Sequence, residues 1–162
     1  MRAKFERNPD LFTLPISSAY FHANCRDEAP KLLKALQVIF MNDELNSKVF
    51  SVLSERVNLR QEKLEKSGRN GMGLWEILVL GVLRHGLNTN YDRLHYFANS
   101  DTTMRTVMGI ETESSFDTRR KTYGLTTIKD NVALLDEKTI NQINDIVLCY
   151  GHRMLKKKKT KS

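Results

Sequence analysis

Between residues 74 and 83 only Glu76 and Gly81 interrupt an apolar run of Leu74, Trp75, Ile77, Leu78, Val79, Leu80, Val82 and Leu83. A helix that is apolar almost all round belongs in the middle of a core rather than at its edge. The run is about ten residues long, well short of the roughly 20 that cross a bilayer. Arg84, His85 and Gly86 follow as basic last-turn residues and a glycine stop. Asn90 is placed to cap the next helix, with Asp92 in its first turn and Tyr91, Leu94 and Phe97 at helical spacing. Ser100 or Asp101 is placed to cap a third, with Met104, Val107 and Met108 inside and Gly109 closing it. Three short helices with such tight connections predict a helix-turn-helix kind of geometry.

The flanks are also helical in pattern. Pro30 suits the first turn of a helix with Leu32, Leu33, Leu36, Ile39 and Phe40 on one side. Asn42 or Asp43 restarts the chain into a second helix with Leu45, Val49, Leu53 and Val57 inside, so 30–57 reads as a helical hairpin. Residues 1–29 show no clear period, and Pro9 and Pro15 argue against a long helix; they read as an extended, partly docked arm. The stretch 58–72, with Arg60, Lys63, Lys66 and Arg69 among glutamates and glycines, reads as a basic linker. Residues 111–124 are polar and irregular in pattern. Thr126 or Thr127 is expected to cap a short helix through Leu135 with Ile128, Val132 and Leu135 facing in. Asp136 then caps an amphipathic helix whose face is Ile140, Ile143, Val147, Tyr150 and Met154. No alternating strand pattern of useful length occurs. The predicted fold is all-α: a hairpin, then a helix-turn-helix-like domain over 73–155 ending in a long amphipathic helix, then a lysine-rich tail over 156–162.

The chain has 162 residues, 40% hydrophobic and 28% charged, an ordinary soluble balance. The N-terminus is charged and no long apolar run follows, so neither a signal peptide nor a membrane span is expected; the two cysteines, Cys25 and Cys149, fit a reducing cytoplasm and make no disulfide scaffold. Charge is more informative. Arg153, Lys156, Lys157, Lys158, Lys159 and Lys161 lie after the last acid, Asp145; without them 20 basic residues face 19 acidic ones, although the net charge is +7. The basicity is local. A lysine tail suits phosphate binding, and it equally suits a solvated chain end.

Candidate chemistry is sparse. Glu76, Asp92, Asp130, Asp136 and Asp145 are each explained as caps, dipole partners or solvated charges, and nothing marks a shared Mg²⁺ site. His22 with Cys25 and Cys149 with His152 form mirrored pairs that would make a tetrahedral zinc site if the arm met the last helix. Isolated Cys/His pairs arise readily, so packing and exposure are the preferred reading, with no catalytic or metal residue assigned. Trp75 and the Tyr91/Phe97 pair read as core rather than base-stacking platforms. The glycines of 67–73 lack the strand and the Lys-Ser/Thr of a phosphate-binding loop.

The run GMGLWEILVLGVLRHGLNTNYDRLHYFANSDTTMRTVMGI, from 71 to 110, resembles the N-terminal region of bacterial insertion-sequence transposases, especially the ISNCY-type group. The shared features are a Gly-Met step, the LWEILVLGVLR helix, Tyr91-Asp92-Arg93-Leu94 and Met108-Gly109. Residues 127–158 also resemble the family, including Asp130-Asn131-Val132 and Gly151-His152, so the likeness covers most of 30–158. It implies a helical DNA-binding region followed by an RNase H-like DDE domain whose carboxylates bind metal ions. No position here matches those acids. The expectation is a transposase portion truncated before its catalytic domain, not itself an enzyme and without cofactor, Mg²⁺ being expected only for a full-length transposase. Its partner would be double-stranded DNA, at the terminal inverted repeats of its element.

Two places are expected to read DNA. One is the third short helix, 102–108, presenting Thr102, Thr103, Arg105 and Thr106. The other is Arg119, Arg120, Lys121, Thr126, Thr127 and Lys129, before and on the following helix. Arg60, Lys63, Lys66 and Arg69 in the connector and Lys156, Lys157, Lys158 and Lys159 in the tail would contact phosphates without reading bases. The alternative function is a helical dimerisation or protein-interaction module, forming a homodimer through exposed faces of 31–57.

Overall fold

The computed structural model describes residues 16–22, 24–61, 72–110 and 121–159. Among them are a short 3-10 turn at Ile16–Ser18 and seven α-helices, with no strand: α1 (Ala29–Met41), α2 (Asp43–Gln61), α3 (Leu74–Gly86), α4 (Tyr91–Ser100), α5 (Thr102–Val107), α6 (Leu125–Val132) and α7 (Glu137–Lys159). The all-α expectation holds.

Asn42 alone separates α1 from α2. Its backbone N–H donates to the Val38 carbonyl at 3.0 Å, ending one helix. Its side-chain oxygen accepts from the Leu45 N–H at 2.9 Å, starting the next. Leu33, Leu36 and Ile39 of α1 and Leu45, Val49, Leu53 and Val57 of α2 are buried, while Leu32 and Phe40 are half-buried. The second helix continues to Gln61, so the first residues expected to form a linker are helical. Met72, at the other end of that expected linker, is buried. The described part of the arm begins in a 3-10 turn rather than extended, and it docks at Ile16 while Tyr20, His22 and 24–28 stay exposed. Ile16 is buried, and the buried Gln37 amide donates to the Ile16 and Ala19 carbonyls at 2.8 and 3.0 Å.

Helix α3 is the centre of the core, with Ile77, Leu78, Val79, Leu80 and Leu83 wholly buried. Its two glycines mark where neighbours come closest. A Cβ on Gly81 would lie 2.2 Å from Leu135 Cδ1, and one on Gly86 2.6 Å from Leu32 Cδ1. Gly86 is therefore a packing residue within the last turn, not the stop expected of it. The left-handed position after the helix is Asn88, at φ 47°, a conformation asparagine tolerates better than most residues. Trp75 joins α3 to three other helices: its indole donates to the Val107 carbonyl at 2.7 Å, and its ring meets Phe40 edge-on and stacks on Phe50.

Asn90 caps α4 through the Arg93 N–H (2.9 Å), and Asp101 caps α5 through the Met104 N–H (2.8 Å). Helix α6 starts earlier than expected. Gly124 occupies its N-cap and makes no side-chain cap, while Thr126 and Thr127 lie exposed in the first turn. The helix ends at Val132, and Leu134 and Leu135 are buried in the tight turn to α7. Asp136 caps α7 as expected, accepting from the backbone N–H and the hydroxyl of Thr139 at 2.9 and 2.6 Å.

Helix α7 runs antiparallel along α2. Arg56 near the end of α2 pairs with Asp136 at the start of α7, and Glu44 at the start of α2 pairs with Arg153 near the end of α7. Asn42 also donates to the Tyr150 hydroxyl at 2.7 Å. The hairpin and the later helices thus share one core. Only Ile143 of the expected α7 face is fully buried; Ile140, Val147 and Tyr150 are half-buried and Met154 is exposed. The helix runs on past Arg153 to Lys159, so Lys156–Lys159 extend α7 rather than forming a separate tail. No described helix is long and apolar enough to cross a membrane.

Candidate nucleic-acid interface

The two expected reading positions come out very differently. Arg105 is wholly buried, the largest such side chain among the described residues. Its Nη1 donates to the Ala98 carbonyl at 2.8 Å and to the Lys121 carbonyl at 3.1 Å. Its expected place on a DNA-reading face is therefore corrected: the guanidinium serves backbone acceptors inside the fold. Thr106 is also buried, its hydroxyl returned to the Thr102 carbonyl at 2.9 Å. Only Thr102 and Thr103 of α5 remain exposed, on a helix of six residues.

Helix α6 keeps its polar residues outside except Asn131. Ile128, Asn131 and Val132 face the core, where α6 packs on α3 and α4, and Thr126, Thr127, Lys129, Asp130 and Ala133 form the opposite, exposed face. Asp130 puts a negative charge among these groups, so the face is mixed rather than uniformly basic.

Segment 121–124 leads into α6 without regular structure, and side chains of three helices hold it. Besides the Arg105 bond from α5, the Asn99 amide of α4 closes two bonds on Tyr123. Nδ2 donates to the Tyr123 carbonyl at 3.0 Å and Oδ1 accepts from its N–H at 2.8 Å. From α3, Glu76 pairs with the Lys121 ammonium while its other oxygen accepts from the Gly73 N–H at 3.0 Å. Burial, and after it the nearby Glu76 carboxylate, push the Tyr123 phenol well above its ordinary range, so it stays neutral.

Glu76 and Asn99 are the residues that sequence reasoning missed here. Glu76 was expected to act as a cap or dipole partner, and it does cap α3. Its second role depends on a residue 45 positions away. The one available signal was an acid interrupting an otherwise apolar helix.

Lys156 and Lys157 are exposed on the last turns of α7. Lys158 and Lys159 continue that helix, and Arg60 lies in the last turn of α2; the side chains of these three fall outside the described ones. Lys63, Lys66, Arg69, Arg119 and Arg120 lie outside the described residues altogether. Cys25 and Cys149 are both exposed, free thiols. Among the described residues, no group of three or more His, Cys, Asp or Glu side chains comes together to hold a metal. No protein-family model, curated protein or solved structure matches the chain.

Proposed function

We propose that this chain is a DNA-binding region similar to the N-terminal portion of an insertion-sequence transposase, recognising the ends of its element. The resemblance of residues 71–110 and 127–158 to that family supports the reading. The observation that carries the choice of surface is the contrast between α5 and α6. The arginine of α5 is consumed inside the fold, whereas α6 presents Thr126, Thr127 and Lys129 outward, with Lys121 half-exposed just before it. Threonine hydroxyls and lysine ammonium groups reach base edges and phosphates. Lys156 and Lys157 on α7 would add phosphate contacts that carry no sequence information. The protein would act in the cytoplasm.

The test is binding to duplex DNA across a salt series. Affinity is expected to fall by roughly 0.9 log units per phosphate contact for each log unit of salt. Substituting Lys129 should weaken binding, while substituting Thr102 and Thr103 together should leave it unchanged. A flat salt response, or a loss confined to the α5 changes, would remove this reading.

A second reading, a homodimerisation module, is favoured by one observation. Val38 and Met41 of α1 and Leu148, Met154 and Leu155 of α7 are large apolar side chains exposed to solvent. It predicts a mass in solution that rises with concentration and little affinity for DNA.

A further inference from the structure

The backbone entering α6 and the Lys121 side chain are anchored separately. Arg105 holds the Lys121 carbonyl, and Asn99 holds Tyr123 at both its N–H and its carbonyl. The Lys121 ammonium takes no part in that grip. It sits 5.4 Å from the centre of the Tyr123 ring and pairs with Glu76. The two partners are unequal: the Lys121 side chain is 54% exposed and that of Glu76 only 11%. Lys121 can therefore swing outward on a flexible stem without moving the backbone that places α6. Glu76 keeps a hydrogen bond from the Gly73 N–H when it does. An exposed phosphate oxygen offers the ammonium a partner of the same kind as the carboxylate it leaves.

We infer that Glu76 sets the affinity of the DNA surface by competing with the phosphate backbone for the Lys121 ammonium, an inference that rests on the DNA-binding reading above. An internal competitor lowers apparent affinity by the fraction of time the lysine is free. For an ion pair with one half-exposed partner that factor is about 1.5-fold to fivefold. Glu76 is thus a positioning residue acting through Lys121. It restrains binding through this contact, because a phosphate must displace the carboxylate before the contact forms.

The experiment is a double-substitution cycle in the full chain, with affinity for a short mixed-sequence duplex measured across salt. Glu76→Gln keeps an oxygen for the Gly73 N–H but removes the charge that holds Lys121. It should tighten binding by about 1.5-fold to fivefold at low salt. Lys121→Met should weaken binding and reduce the salt slope by about 0.9. In the Lys121→Met background the gain from Glu76→Gln should vanish. An unchanged affinity in Glu76→Gln, or an equal gain with and without Lys121, overturns the inference. Because Glu76 is nearly buried, a readout on the unsubstituted chain accompanies the cycle: the carboxyl carbon resonance of Glu76 should move when saturating duplex is added. A resonance that stays in place also overturns the inference. The DNA-binding reading fails separately, if the unsubstituted chain shows no salt-dependent binding. Should the chain bind and Lys129 matter while Glu76 does not, only the competition is lost.

Discussion

A buried guanidinium is tolerated only where its N–H groups meet acceptors, and Arg105 meets the carbonyls of Ala98 and Lys121. Those carbonyls belong to α4 and to the segment before α6, so a single side chain ties together parts of the chain that no helix connects. Arg105→Met should cost about 2–4 kcal/mol in urea unfolding, since the carbonyls lose a charged donor within the core. A cost near zero would mean that water or another donor replaces the arginine easily. Gly81 is the opposite case, a position defined by what is missing. Gly81→Ala sets a methyl against Leu135 and should destabilise by about 1–3 kcal/mol through overpacking, although alanine is the better helix former. A stabilised variant would show that the Leu135 side chain moves aside at little cost.

At the scale of elements, α2 and α7 are joined by ion pairs at both ends of their contact. Glu44 is the more telling. Its hydrogen bond from Lys48, and next that from Arg153, lower its carboxyl from the ordinary 4.5 to about 2. Asp136 is lowered as well, first by the Thr139 hydroxyl and then by the Thr139 N–H. A carboxylate whose value falls on folding stabilises the fold above its unfolded value, and that stabilisation is lost as pH falls through the folded value. The difference in melting temperature between the native chain and Glu44→Gln should therefore be steady above about pH 5 and close as pH falls towards about 2. Both partners lie at the surface, so the difference should be small and shrink with added salt. A gap that widens on acidification would contradict the pairing. Boundaries at this scale were only partly legible. Asn90 and Asp136 were recognisable as caps because their side chains suit the position they occupy. The start of α6 was not, because Gly124 caps by backbone conformation alone while two threonines beside it carry the better capping chemistry.

At the scale of the whole molecule, the hairpin is not an appendage. Trp75 of α3 packs against Phe40 and Phe50 of the hairpin, and α7 lies along α2. A fragment beginning at residue 72 would expose Trp75 and the inner face of α7. It should lack the cooperative melting of the full chain, which circular dichroism and indole fluorescence would follow. A cooperative, native-like transition in that fragment would establish 73–155 as an independent domain.

The all-α class, the burial of α3 and the inner faces of α2 and α4 are legible along the chain, because hydrophobic periodicity reports which side of a helix avoids water. The basic residues are visible too, though not their roles. Arg105 turning inward, Lys121 pairing with Glu76, Gly86 meeting Leu32 and the exposure of Leu148 and Leu155 on α7 emerge only once the helices are packed. Each depends on what a distant segment brings alongside. An arginine among threonines has the same local pattern whether the groups nearest to it are phosphates or the carbonyls of its own chain, and long-range packing alone chooses between them.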